Sequence, residues 1–142
     1  MDKFFNYDSQ ATAAKGLVYI GEKILVYRRD NKTTTHPLEI DLPGGGIKDM
    51  ETPFQAFQRE VKEEFGLYII EENITYVRRY TESDKSTYFV VAKLPIEVGS
   101  DITFGNEGKE YNTITLEDYL NCKDAWILFQ ERTKDYLQST TK

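Results

Sequence analysis

The segment most capable of chemistry is Arg59-Glu60-Val61-Lys62-Glu63-Glu64. A helix advances about 100° per residue, so positions i, i+3 and i+4 share a face, and Glu60, Glu63 and Glu64 crowd into an arc of roughly 100°. Like charges so spaced repel by about a few tenths of a kcal/mol per pair in an isolated helix. They must be well solvated or neutralised. Hard divalent cations such as Mg²⁺ or Mn²⁺ take oxygen ligands and would turn that repulsion into binding. An acidic solvent-facing stripe is the ordinary explanation of any E-x-x-E-E pattern. Three features favour chemistry here. The carboxylates adjoin the apolar stripe of their helix, the run Gly44-Gly45-Gly46 can bring bare backbone close to a ligand, and Glu51 adds a carboxylate near Arg59.

The element that carries these glutamates is the best-defined helix in the sequence, over 53–65. Thr52 is suited to cap it, Pro53 to its first position, and Gln55 to complete a Thr-x-x-Gln capping box. Gly66 is placed to stop it. Phe54, Phe57, Val61 and Phe65 fall on one face and predict the side that packs inward. Before the helix, 16–20 and 23–28 read as a β-hairpin around Gly21-Glu22, 30–37 as a loop, and 38–42 as a short strand ended by Pro43 and the glycines. After it, 74–80 and 87–94 read as an antiparallel pair around a polar turn, and 109–114 as a weaker strand. Thr115 with Asp118 caps a short helix, and a last amphipathic helix runs over about 123–137, using Trp126, Phe129 and Tyr136 or Leu137. Strands and helices mix without regular βαβ alternation, so the expected class is α+β, a sandwich around a mixed sheet.

The length of 142 residues fits one domain over 1–142, with loose polar ends at about 1–12 and 139–142. One cysteine, Cys122, excludes an internal disulfide and a cysteine cage for zinc. The one histidine, His36, reads as a loop residue, which excludes histidine metal cages and nucleophilic triads. No apolar run has the length of a signal peptide or a membrane span, so the expected setting is cytoplasmic, with no membrane partner. With 24 acidic against 18 basic residues, net charge −6, duplex nucleic acid is excluded as the main partner. A small phosphorylated ligand held through metal ions is not excluded. Calcium hands are, for want of an alternating Asp/Asn loop.

Gly45, five residues, Glu51, seven residues, then Arg59-Glu60-Val61-Lys62-Glu63-Glu64-Phe65-Gly66-Leu67 matches the Nudix signature G-x5-E-x7-R-E-U-x-E-E-x-G-U at every fixed position. The chain thus resembles the Nudix hydrolases through a box over 45–67, led in by Leu42-Pro43-Gly44-Gly45. The resemblance implies an α/β/α sandwich with a mixed central sheet, and metal-dependent hydrolysis of a phosphoanhydride in a nucleoside diphosphate derivative. Within the family the chain is similar to MutT-type nucleoside triphosphate pyrophosphohydrolases, which release NMP and pyrophosphate. That likeness rests on Arg28-Arg29, on Glu51-Thr52-Pro53 with Gln55-Ala56, and on the compact length. An ADP-ribose or nucleotide-sugar pyrophosphatase is the alternative. The proline that often follows the box in ADP-ribose members has no counterpart at Glu82 or Ser83, and the tyrosine of dinucleoside polyphosphate members has none at 83–85. A non-catalytic nucleotide sensor is a further alternative, disfavoured because every box glutamate is present.

The resemblance also implies roles. Glu60 and Glu64 are the principal metal ligands, Glu63 a further ligand, direct or through water, and the Gly44 carbonyl a backbone ligand for Mg²⁺ or Mn²⁺. Glu51 and Arg59 orient loop and helix through an ion pair, while Gly45 and Gly46 line the substrate. Arg29 is a candidate to reach a phosphate, against an ordinary exposed strand-end arginine. A glutamate from a distal loop assists the metals or the attacking water. Glu107 and Glu110 both qualify, and the spacing back from Thr115-Leu116 favours Glu107. Tyr80 and Tyr88 are candidates to stack on a base, although strand aromatics are usually core.

Overall fold

A computed structural model describes residues 2–30, 39–105 and 108–140 of the chain. Strand β1 (Ala11–Ile20) turns through Gly21-Glu22 into β2 (Lys23–Arg29), and β3 (Ile40–Asp41) and β4 (Gly44–Gly46) precede helix α1 (Pro53–Phe65). Strands β5 (Ile74–Glu82), β6 (Lys85–Leu94) and β7 (Gly108–Ile114) follow, then α2 (Leu116–Leu120) and α3 (Ile127–Thr140). The strands form one mixed sheet in the order β3-β2-β1-β6-β5, with β1 parallel to β6 and the other pairings antiparallel; β7 joins β2, and β4 joins β1. The chain is therefore an α+β sandwich.

Two apolar clusters fill the two faces of the sheet. Phe54, Phe57, Val61 and Phe65 of α1 pack with Val18, Leu25 and Val90 on one face. Phe129 and Tyr136 of α3 pack with Leu17, Val26 and Phe89 on the other. Alternation along the strands sends neighbours to opposite layers: Leu25 and Tyr27 toward α1, Ile24 and Val26 toward α3.

The helix carrying the glutamates begins and ends where its sequence requires. The Thr52 hydroxyl accepts from the Gln55 amide, the Gln55 side chain accepts from the Thr52 amide, and Gly66 closes the helix at φ 69°. Three boundaries differ from expectation. Strand β1 starts at Ala11 rather than at Gly16, because parallel pairing with β6 extends back to Ala11↔Ser86. The β5–β6 turn shrinks to Ser83-Asp84 as the strands pair out to Glu82↔Lys85. Helix α3 starts at Ile127, not near Lys123, because 124–125 serve the sheet: Ile40 donates its amide to the Asp124 carbonyl (2.9 Å) and bridges to Ala125.

The expectation of loose ends is corrected as well. Phe4 is fully buried, its ring edge-on to Phe5 and Phe54 and tilted against Tyr88. Asp8 is buried too, and accepts from Arg79 Nε (2.9 Å), Tyr88 Oη (2.6 Å) and the Gln10 amide (3.1 Å). The N-terminal segment is clamped onto the β5–β6 hairpin. At the other end α3 continues through Ser139 to Thr140, and 141–142 lie outside the described residues. Most of the expected 30–37 loop, with His36, lies outside them as well.

The Arg79 hydrogen bond holds the Asp8 carboxyl down at about 2, against the opposing effect of burial. Its folded value lies below its unfolded one. The clamp therefore contributes fully above about pH 4, and its contribution is lost as pH falls toward 2. Acid titration followed by circular dichroism should show a steeper loss of stability between those limits in wild type than in Asp8→Asn. Equal slopes would mean that this carboxylate is not linked to folding.

Candidate active site

The site lies where β1 and β2 separate. They pair directly only at Tyr19↔Ile24 and Ile20↔Lys23; further along, β1 takes β4 as its partner through Ala13↔Gly46, Ala14↔Gly45 and Lys15↔Gly44. A strand made only of glycine thus runs beneath α1. Gly44 has φ 119°, and a Cβ there would strike the Ala14 carbonyl. At Gly45 a Cβ would lie 2.7 Å from the Glu60 carboxyl carbon. Any larger residue at that position would displace the carboxylate.

The three helix glutamates have different environments. Glu64 is 2% exposed, lies beside the apolar stripe, and accepts the Gly44 amide at Oε1 (3.0 Å) and the Tyr27 hydroxyl at Oε2 (3.5 Å). Glu60 is part-buried against Gly45, and Glu63 is exposed. One guanidinium, Arg59, collects the rest. It grips Glu51 bidentately (2.7 and 3.0 Å), and donates to Glu60 (2.9 Å), Glu63 (3.1 Å) and the Gly46 carbonyl (2.9 Å). The hydrogen bond from Arg59 holds the Glu51 carboxyl below its usual value, and the bond to Glu51 raises Arg59 in turn. Arg59 supplies the neutralisation that the sequence pattern demanded, for two of the three helix carboxylates.

A second charged group, which sequence reasoning missed, lies behind Glu64. Asp41 is 2% exposed; its Oδ2 accepts from Lys15 Nζ (2.7 Å), Arg29 Nη1 (2.8 Å) and Tyr27 Oη (3.2 Å), and its Oδ1 from the Leu42 amide (2.8 Å). Burial opposes its ionisation, yet Lys15 and then Arg29 keep its carboxyl below the usual range. Burial, then the charges of Glu64 and Asp41, push the Tyr27 phenol up. A lysine amid apolar strand residues and an aspartate just before the glycine run were the available signals. Their pairing, between residues 26 apart in sequence, depends on β1 meeting β4.

The remaining expected residues are placed as follows. Arg29 reaches Asp41 beside the glycine strand. Glu110 pairs with Arg28 across β2–β7 (3.6 Å), on the sheet face of Val26 and α3 rather than that of Tyr27 and Glu64; the structure does not bring it to the helix carboxylates. Glu107 lies outside the described residues. Gly105, at the end of the preceding segment, donates its amide to the Glu64 carbonyl (2.8 Å). Both tyrosines have other partners: Tyr88 is buried on Asp8, and the Tyr80 ring carries the Arg132 and Arg78 guanidiniums (4.2 and 4.6 Å) with its hydroxyl on Asp135.

Among the described residues no three His, Cys, Asp or Glu side chains converge as a ready-made metal cage. The donors at hand are the Glu60 and Glu64 carboxylates, one turn apart on α1, with Glu60 set against Gly45 and Glu64 against Gly44, all oxygen and all hard. That donor chemistry fits Mg²⁺ or Mn²⁺ and not a soft metal.

A glutamate-bearing helix laid over a glycine strand, within a mixed sheet sandwiched by helices, defines the class. The family model described as the NUDIX domain matches residues 10–135, and the chain belongs to the Nudix hydrolase family. Solved structures agree on the fold. The MutT protein from Methanosarcina mazei Go1 superposes with TM-score 0.74 at 22% identity, over 96% of this chain and 100% of that one. A bifunctional NMN adenylyltransferase/ADP ribose pyrophosphatase from Francisella tularensis, complexed with AMP and a Mn ion, gives 0.71 at 18% identity, over 93% of this chain and 42% of that one. A C. elegans Ap4A hydrolase gives 0.64 at 22%, over 89% and 98%. Comparison with curated proteins finds no match in sequence. No helix among the described residues is long and apolar enough to cross a membrane.

The loop from strand to helix carries one strained residue. Lys48 and Glu51 close a turn through the Glu51 amide (3.1 Å to the Lys48 carbonyl), and Met50 is its third residue at φ 70°, 82% exposed. That position of a type II turn suits glycine, and the left-handed conformation costs an L-residue roughly 1–2 kcal/mol. Met50→Gly removes the strain and no buried contact, so denaturant unfolding should show a gain of about 0.5–1 kcal/mol. A loss of the same size would mean that the Met50 side chain stabilises the loop.

Proposed function

We propose that this Nudix hydrolase is a metal-dependent nucleoside triphosphate pyrophosphohydrolase of MutT type, releasing NMP and pyrophosphate. The observation that carries the reading is the placement of Glu60 against Gly45 and of Glu64 against Gly44, an all-oxygen donor set beside space that only glycine leaves open. In this reading Glu60, Glu64 and the Gly44 carbonyl hold Mg²⁺ or Mn²⁺, with Glu63 as a further ligand, direct or through water. The metal supplies charge neutralisation for the polyphosphate and a lowered pKa for water. Arg59 and Glu51 fix the helix against the loop, and Gly45 and Gly46 let phosphates approach the backbone. Arg29, steadied by Asp41, faces a phosphate. Glu107, favoured by its spacing back from Thr115-Leu116, assists the attacking water. The missing proline and tyrosine marks at 82–85 favour a nucleoside triphosphate over ADP-ribose or a dinucleoside polyphosphate.

A nucleotide panel assayed with Mg²⁺ or Mn²⁺, resolving phosphate from pyrophosphate, tests the substrate class. Nucleoside triphosphates should be cleaved fastest, with pyrophosphate as product. EDTA should abolish turnover, and restored metal should recover it. Glu64→Gln should remain folded yet lose nearly all activity, and Mg²⁺ should raise its melting temperature less than that of wild type. Metal-free activity, or a folded Glu64→Gln enzyme at the wild-type rate, would overturn the reading. Preference for ADP-ribose would replace the substrate and keep the metal site.

The distal glutamate has its own test. Glu107→Gln should slow turnover by roughly 10²–10⁴-fold with unchanged melting, while Glu110→Gln should do little, a difference supported by the contact of Glu110 with Arg28. A larger loss at Glu110 would reverse the assignment, and two small losses would remove both from the chemistry.

A further inference from the structure

We infer that Tyr27 is a positioning residue for Glu64: its hydroxyl bridges the buried Asp41 anchor to the Glu64 carboxylate and fixes the orientation in which that carboxylate binds a divalent cation. The inference rests on the reading of Glu64 as a metal ligand. The phenol oxygen lies 3.2 Å from Asp41 Oδ2 and 3.5 Å from Glu64 Oε2, and it carries one proton for two acceptors. Asp41 already takes Lys15 and Arg29 on the same oxygen, so its charge is met without the phenol. The Gly44 amide holds Glu64 Oε1, and the phenol addresses Oε2, so both oxygens of this buried side chain have a defined direction. Turning the carboxylate plane, short of the half-turn that merely exchanges its equivalent oxygens, would forfeit both contacts.

The Tyr27 ring is itself immobilised. It packs edge-on to Phe65 at 6.0 Å and tilted against Phe104 at 6.3 Å, and the backbone of Tyr27 pairs with Asp41 on one side and Tyr111 on the other. Asp41 is fixed in turn by the Leu42 amide and two cations. The chain Lys15/Arg29–Asp41–Tyr27–Glu64 joins β1, β2, β3 and α1 through one hydroxyl. Partners of this kind, one shell behind a ligand, typically govern affinity by about 10–100-fold.

Tyr27→Phe deletes one oxygen and keeps the ring contacts, so the melting temperature without metal should move little. Mn²⁺ binding without nucleotide, read by electron paramagnetic resonance, should weaken about tenfold. The metal concentration for half-maximal turnover should rise in parallel, with KM for nucleotide at saturating metal unchanged. In a Glu64→Gln background the same substitution should leave residual Mn²⁺ affinity unaltered, because the group it positions is gone. Wild-type Mn²⁺ affinity in Tyr27→Phe, or an equal further loss in the Glu64→Gln background, would overturn the positioning role while leaving the metal site standing. Failure of wild type to bind Mn²⁺ at all would instead overturn the metal reading, and this inference with it.

Discussion

The contact on which the rest of the structure depends is the approach of α1 to a strand without side chains. Glu64 is buried because Val61 and Phe65 bury their side of the helix, and it is tolerated there because the Gly44 amide reaches it at 3.0 Å. A buried carboxylate that found no such donors would cost several kcal/mol or give up its charge. Side chains at 44 or 45 would push strand and helix apart or evict Glu60. The hydrophobic stripe sets the depth of the helix, and the glycines set how close polar backbone comes to it.

That approach is made possible by the divergence of β1 from β2. Were the two strands paired along their whole length, β4 would have no place in the sheet and Gly44 no position under the helix. The gap is a polar interior, closed by Asp41 with Lys15 and Arg29 on one side and by the Arg59 grip on Glu51, Glu60 and Glu63 on the other. Two arginines do unlike work. Arg59 uses its planar fork to join loop and helix, a task that a lysine point charge could not perform. Arg29 shares a fully buried acceptor with Lys15.

Local chemistry was legible in the sequence wherever a single segment determines it. The Thr52/Gln55 capping box, Gly66, the inward phenylalanines and the β1–β2 hairpin follow from neighbours within a few residues, and the structure has them. The helix carboxylates and the Arg59 contact with Glu63 belong to the same category, since turn spacing alone brings them together, whereas the Arg59 grip on Glu51 was expected only from the family resemblance. What was not legible depends on distant pairing. Asp41 meets Lys15 only because β4 replaces β2 beside β1, and the first residues looked loose only because Phe4 and Asp8 find their partners near 54, 79 and 88. The start of α3 failed for the same reason: helix propensity at 123–126 yields to the hydrogen bond and bridge that Ile40 makes there.

The buried Asp41 group has no simple justification in stability. Removing two or three charges from water costs several kcal/mol each, and well-packed apolar residues of similar volume often serve folding as well or better. An apolar trio at positions 15, 29 and 41 would satisfy the core and leave the Tyr27 hydroxyl with Glu64 alone. The carboxylate could then turn with the phenol, since nothing fixed would lie behind the pair. An anchor of opposite charges, each held by a different strand, resists such rotation because every ion pair in it shortens in only one arrangement. The group therefore makes physical sense as a device for orientation, acting on the one site glutamate that the helix has carried into the core.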